Sequence, residues 1–220
     1  MIREPLVHPI AIVDLRPTQI TVGMREVAAR QQRWQRDDPK KKAEYLASHL
    51  IPVIRGPKDR LYVQDHHHLS LALHNEGVGE VLVSHVADLR GLSKDAFWIY
   101  LDNRAWVHPY DAGGRRRDFA DIPRKITGLK DDPYRSIAGE LRRLGGFAKD
   151  TTPFSEFLWA DFMRRRIAAD DLEKDFEAAM AEALRLAKSP EAGYLPGWCG
   201  PHPDHDGDHN HDGHRGSNHK

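Results

Sequence analysis

The chain has 220 residues, with 33 Lys and Arg against 33 Asp and Glu and 40% hydrophobic residues. A chain of this size buries roughly 70% of its unfolded surface, enough for a core without staples, and no apolar run approaches the ~18 residues of a membrane helix. The charge balance argues against a uniformly basic nucleic-acid coat, a lone Cys199 excludes an intrachain disulfide or a multi-cysteine metal site, and proline and acid near the start argue against a signal peptide, so the expected location is cytoplasmic.

Composition predicts three parts: an α/β domain over residues 1–110, a helical extension packed on it over 111–195, and a disordered His/Asp-rich tail over 196–220. In the first part, Pro9 to Val13 alternates as a strand that Pro17 ends, because proline cannot donate to a ladder. Val22 to Arg36 and Lys40 to Leu50 follow as helices broken at Asp37-Asp38-Pro39. Pro52 to Arg55 and Arg60 to Val63 flank the hairpin punctuation Gly56-Pro57-Lys58-Asp59. His66 to Asn75 is a helix closed near Gly77, Val81 to Val86 a strand, and Leu92 to Trp106 a helical stretch. In the second part Pro133 to Leu144 is a helix. Thr152 and Pro153 are expected as N-cap and first residue of another, and one long helix is expected from Asp170-Asp171.

The sharpest local signal is the strand-turn-helix Leu61-Tyr62-Val63-Gln64-Asp65-His66-His67-His68-Leu69. Unpaired N–H groups and the positive end of the helix dipole make such a junction a place to hold an anionic phosphate. His66, His67 and His68 are therefore the expected phosphate contacts. Asp65 is the expected N-cap, with a further role as base or metal ligand. The alternative is that Asp65 only caps and the imidazoles are buried hydrogen-bonders.

The order of elements across residues 8–90 resembles the ParB/sulfiredoxin superfamily. More narrowly it is similar to the ParB-like nuclease branch, where an L-x-P-T-Q-x-x-x-G segment (here Leu15 to Gly23) and a D-H-H-H segment (here Asp65 to His68) stand in those places. Asp131-Asp132-Pro133-Tyr134-Arg135-Ser136 and Phe157 to Phe162 resemble the same branch. The resemblance implies a small mixed α/β (α+β) sheet with a helical C-terminal half. It also implies a nucleotide, ATP or another with Mg²⁺, at the Asp65–His68 junction. The chain departs from the superfamily's patterns by lacking a glycine, a cysteine and an arginine there, which removes sulfiredoxin chemistry and weakens the phosphate clamp. By its likeness to the base of the free-serine kinases, Glu26 is the implied proton acceptor, with Asp65 and His67 as catalytic partners. Gln19 is the implied orienting group. The alternative for Glu26 is an ordinary first-turn acid favoured by the helix dipole.

Trp106 to Asp111 with Arg115-Arg116-Arg117 joins aromatics to a basic run, a nucleic-acid contact or an exposed linker. In the tail, His202, His205, His209, His211 and His214 with four aspartates make a weak chelating set for Zn²⁺ or Ni²⁺. Two functional classes follow: an enzyme of phosphoryl transfer or phosphodiester hydrolysis, or a non-catalytic nucleotide- or DNA-binding module. The expected partner is a nucleotide or small phosphorylated ligand, with nucleic acid as a second candidate. No membrane partner is expected, and the oligomeric state is left open.

Overall fold

The computed structural model describes residues 9–201; the tail histidines expected to chelate metal lie outside the described residues. Short apolar runs punctuated by proline and glycine form β1 (Pro9–Ala11), β3 (Ile51–Gly56), β4 (Arg60–Val63) and β5 (Glu80–Asp88). These make one mixed sheet in the order β1-β5-β3-β4, antiparallel at both edges and parallel between β5 and β3. A parallel step requires a crossover. Here it runs through β4 and α3 (His67–Asn75), whose Leu69, Leu71, Ala72 and Leu73 are buried on the sheet. Gly77, at φ 75°, ends the helix in a left-handed conformation that costs glycine nothing.

Before the sheet, α1 (Met24–Arg36) and α2 (Pro39–Ser48) are separated at Asp37-Asp38, where the Asp38 carboxylate accepts the Lys41 N–H at 3.0 Å and starts the second helix. After it, α4 (Lys94–Asn103) buries Phe97, Trp98 and Leu101. A two-stranded parallel pair, β2 (Thr21–Val22) with β6 (Lys130–Asp131), stitches the N-terminal segment to the helical half. That half contains α5 (Pro133–Arg143), α6 (Ser155–Arg164), α7 (Ala169–Lys174) and α8 (Phe176–Lys188) around Trp159, Phe162, Ile137 and Leu141. Residues beyond 110 also enter the first core: Ile126 and Leu129 pack with the sheet and α3.

Three local expectations are corrected. Thr152 is not a side-chain cap: α6 begins two residues after Pro153, from Phe154 in a left-handed conformation, while the Thr152 carbonyl accepts the Ser155 N–H. The helix expected from Asp170 is two helices, because the Asp175 carboxylate takes the Ala178 N–H at 3.0 Å and restarts the chain in a new direction. The segment from residue 196 is in part structural: the Pro196 carbonyl accepts the Trp159 indole N–H at 2.9 Å, and the Gly197 carbonyl accepts the Ala148 N–H at 2.7 Å.

Gly23, the N-cap of α1, sits against α5. A Cβ there would lie 2.8 Å from the Ser136 backbone nitrogen and 3.0 Å from its Cα, so the neighbour that must yield is main chain. Gly23→Ala is therefore expected to lower the free energy of unfolding by about 2 kcal/mol. Urea titration of the two proteins checks this, and an unchanged midpoint would contradict the close approach.

Candidate functional site

The residues Pro17 to Gly23 run buried between the sheet and α5 with little regular structure, so their backbone donors need specific acceptors. Two come from the histidine triplet. The Thr18 N–H donates to His67 Nε2 at 3.0 Å, and the Gly23 N–H donates to His68 Nε2 at 3.0 Å. A ring nitrogen that accepts from an amide carries no proton, so both imidazoles are neutral with the hydrogen on Nδ1. Burial pushes His67 down to about 3 and His68 well below the usual imidazole range. Neither Nδ1–H finds an acceptor among the described residues. The buried hydrogen-bonding alternative thus describes one nitrogen of each ring and leaves the other nitrogen a free donor.

Asp65 is not the N-cap of α3. His66 occupies that position at φ 69°, with no side-chain cap, and the exposed Asp65 carboxylate accepts the His66 N–H at 2.6 Å. The first N–H groups of α3 beyond His66 are therefore open at the helix start. A cavity of about 210 Å³ lies against this turn, walled by Gln19, Gln64, Asp65, His67, His68 and Arg135, with Glu156 and Phe157 opposite. The structure so brings together Gln19, Asp65, His67 and His68. The His66 side chain and Glu26 stand outside that wall. Gln19 ties its amide nitrogen to the Thr21 carbonyl at 2.7 Å, and its amide oxygen has no donor among the described residues.

Arg135 is the residue that the sequence reading gave no role. Only 8% exposed, its guanidinium meets Glu26 Oε2 at 3.4 Å, and its buried Nε has no partner. Asp132, which caps α5 by accepting the Tyr134 and Arg135 N–H groups at 3.0 and 3.3 Å and pairs with Arg164 at 2.6 Å, fixes the turn that carries it. A cation in the first turn of a helix opposes the dipole, and one on a buried face is costly unless paired. That conflict within Asp132-Pro133-Tyr134-Arg135 is the signal that marks it. Glu26 also holds Arg30 at 2.9 Å. Burial alone would raise the Glu26 carboxyl, but neighbouring positive charge outweighs it and holds the group below the usual carboxylate range. With His68 neutral, that charge is the Arg135 and Arg30 guanidiniums.

A second chamber of about 380 Å³ adjoins the first, sharing Ala105, Pro153, Phe154 and Phe157 with it and adding His108 and Tyr110. The His108 ring packs on Tyr110 and Phe157 with centroids 4.6 and 3.9 Å apart, and burial pushes its imidazole down to about 3. Ala105 and Phe154, at φ 51° and 58°, line both chambers, and His66, at φ 69°, immediately precedes the lining residue His67. Such angles are uncommon away from glycine and gather where surrounding structure over-determines the backbone. The basic run contributes less than expected, since Arg116 and Arg117 are paired with Asp102 and Asp111.

A curled mixed sheet with a histidine-bearing helix start facing a cleft defines a ParB/sulfiredoxin-type protein. The chain belongs to the family described as "Putative ParB-like nuclease", which it matches over residues 8–165. It is similar to the crystal structure of protein Atu1540 from Agrobacterium tumefaciens, at 53% identity and a TM-score of 0.86, over 91% of this chain and all of that one. No protein of curated function matches it. No helix among the described residues is long and apolar enough to cross a membrane.

Three neutral imidazoles, the buried His67 and His68 and the half-buried His108, have a consequence for acid stability. Between the unfolded value near 6.5 and the depressed folded values, the unfolded chain binds more protons than the folded one. Their contribution is therefore intact above pH 6.5 and is lost as pH falls below it, at up to ~1.4 kcal/mol per pH unit for each group. Urea unfolding between pH 6.5 and 5 should show this slope, and His108→Phe should remove about one third of it. An unaltered slope in that variant would show that His108 is not held neutral.

Proposed function

We propose that the cleft binds the phosphate groups of a nucleotide or a phosphodiester, and that the chain is an enzyme of phosphoryl transfer or phosphodiester hydrolysis. The observation that carries this reading is Arg135: a buried arginine, 8% exposed as a residue, with one long ion pair and an Nε unpartnered among the described residues, in the wall of a cavity at an uncapped helix start. An anion there completes Arg135 and accepts from the open N–H groups of α3. Neutral Nδ1–H donors from His67 and His68 fit the same group without adding charge that would titrate near neutral pH.

The adjoining aromatic chamber favours a ligand with a flat ring at the other end, as a nucleotide has. Gln19 offers its amide oxygen as an acceptor in the wall of the first cavity. Asp65 and Glu156 are the carboxylates in the first wall; a Mg²⁺ arriving with the phosphates would meet them there, since that ion is commonly held by one or two carboxylates plus substrate oxygens. A carboxylate paired with two guanidiniums and held below its usual range is a weak proton acceptor, so we assign Glu26 to positioning Arg135 and keep Asp65, exposed at the rim, as the candidate base. The second reading, a binding module without turnover, shares the same cleft.

Calorimetric titration of the full chain with pyrophosphate, with and without Mg²⁺, tests the site. Arg135→Gln should weaken binding at least about tenfold while the protein stays folded, as expected for a charge-assisted contact. Unchanged affinity would remove the cleft as the phosphate site. Release of inorganic phosphate from nucleotides, or cleavage of DNA, in the same samples separates the enzyme from the module: turnover lost in Asp65→Asn with pyrophosphate affinity kept is the enzyme's pattern.

A further inference from the structure

A second basic concavity lies on the other side of the Arg16–Gln19 segment. Arg16 and Pro17 face it, while Gln19 faces the cleft. It is a groove of about 360 Å³ in which Arg16, Lys58, Arg60, Lys94 and Arg124 converge from four separate stretches of chain, with no carboxylate in its wall. None of the five cations is paired among the described residues, although most arginines elsewhere are: Arg30, Arg55, Arg90, Arg116, Arg142 and Arg164 all hold acids. The nearest acid in sequence, Asp59, is engaged by Arg55 and Arg90.

In a chain with zero formal net charge, five like charges left unpaired around one concavity repel one another, so a bound anion would be stabilising. The turn that presents two of them is itself constrained: Lys58 and Asp59 stand at φ 60° and 58°. The groove also has an aromatic floor: half-buried Phe119 stacks on Trp98 with centroids 5.7 Å apart, and Trp98 and Tyr62 are themselves buried beneath. Several cations around one groove with a partly exposed ring, Phe119, in its wall match phosphates that carry a base, whereas an isolated anion needs no ring. A concave groove favours one strand over the convex face of a duplex.

We propose that this groove is a binding site for single-stranded nucleic acid, separate from the phosphate cleft and independent of whether that cleft is catalytic. Fluorescence anisotropy of labelled oligothymidylate with the full chain, in EDTA, reads it out. Binding should weaken with salt with a log–log slope of about −3.5, the value for five phosphate contacts on a single strand. The triple variant Arg60→Ala/Lys94→Ala/Arg124→Ala should bind at least about tenfold more weakly and lose about 2 from that slope. Its melting temperature and its pyrophosphate affinity should be unchanged, and Arg135→Gln should bind the oligonucleotide normally. Absence of binding, insensitivity to the triple variant, equal affinity for a duplex of the same length, or equal affinity for polyglutamate would each overturn the proposal.

Discussion

The arrangement depends on two imidazole nitrogens accepting backbone N–H groups. Pro17 to Gly23 crosses the interior with β pairing only at Thr21-Val22 and isolated bridges at Arg16 and Gln19, and buried amides without acceptors would each cost about 1–3 kcal/mol. His67 and His68 supply the acceptors for Thr18 and Gly23 at 3.0 Å each. They can do so only while neutral, and burial keeps them neutral. The same geometry orients the rings, leaving the Nδ1–H groups as donors at the start of α3. The structural and the candidate functional roles of the triplet are thus two ends of one ring.

The helical half completes what the sheet begins. The Asp131 carboxylate accepts the Met24 N–H at 2.8 Å and the Ser136 hydroxyl accepts the Arg25 N–H at 3.3 Å, so the first turn of α1 is capped from a segment more than one hundred residues away. This closes the α1 terminus and leaves that of α3 as the open one beside the cavity. Arg135 arrives on the same turn of α5, its guanidinium held toward Glu26 and over Phe157, 5.4 Å from the ring centroid. A cleft with walls from residues 19, 64, 65, 67, 68, 105, 135, 153, 154, 156 and 157 belongs to both halves, which fits a family match that runs through both.

Much of the sheet and its helices was legible because the signals are local. Proline and glycine bracket β3 and β4, Asp38 precedes a helix with proline at its start, and the run from His67 to Asn75 is apolar at helical spacing. The histidine junction stood out as a candidate site for the same reason. What was not legible depends on distant pairings. Nothing near Glu26 announces that Arg135 will share its carboxylate, 109 residues on. Asp175 looks like an ordinary surface acid until its carboxylate is seen to restart a helix. Phe154 takes the left-handed position at the start of α6, where Thr152-Pro153 offered a better local cap, and borders the cleft there. The unpaired cations of the groove come from four segments and form no run in the sequence, while the visible run at Arg115–Arg117 is largely spent on ion pairs.

The central claim concerns protons on two rings, and nitrogen-detected NMR of the imidazoles reads them directly. Long-range proton–nitrogen correlation spectra of the full chain, assigned through His67→Gln and His68→Gln, report which nitrogen of each ring is protonated. The account predicts the neutral Nδ1–H form for both residues, with Nε2 unprotonated and no titration between pH 8 and 5. A protonated Nε2 on either ring, or an ordinary imidazole titration near pH 6.5, would contradict it.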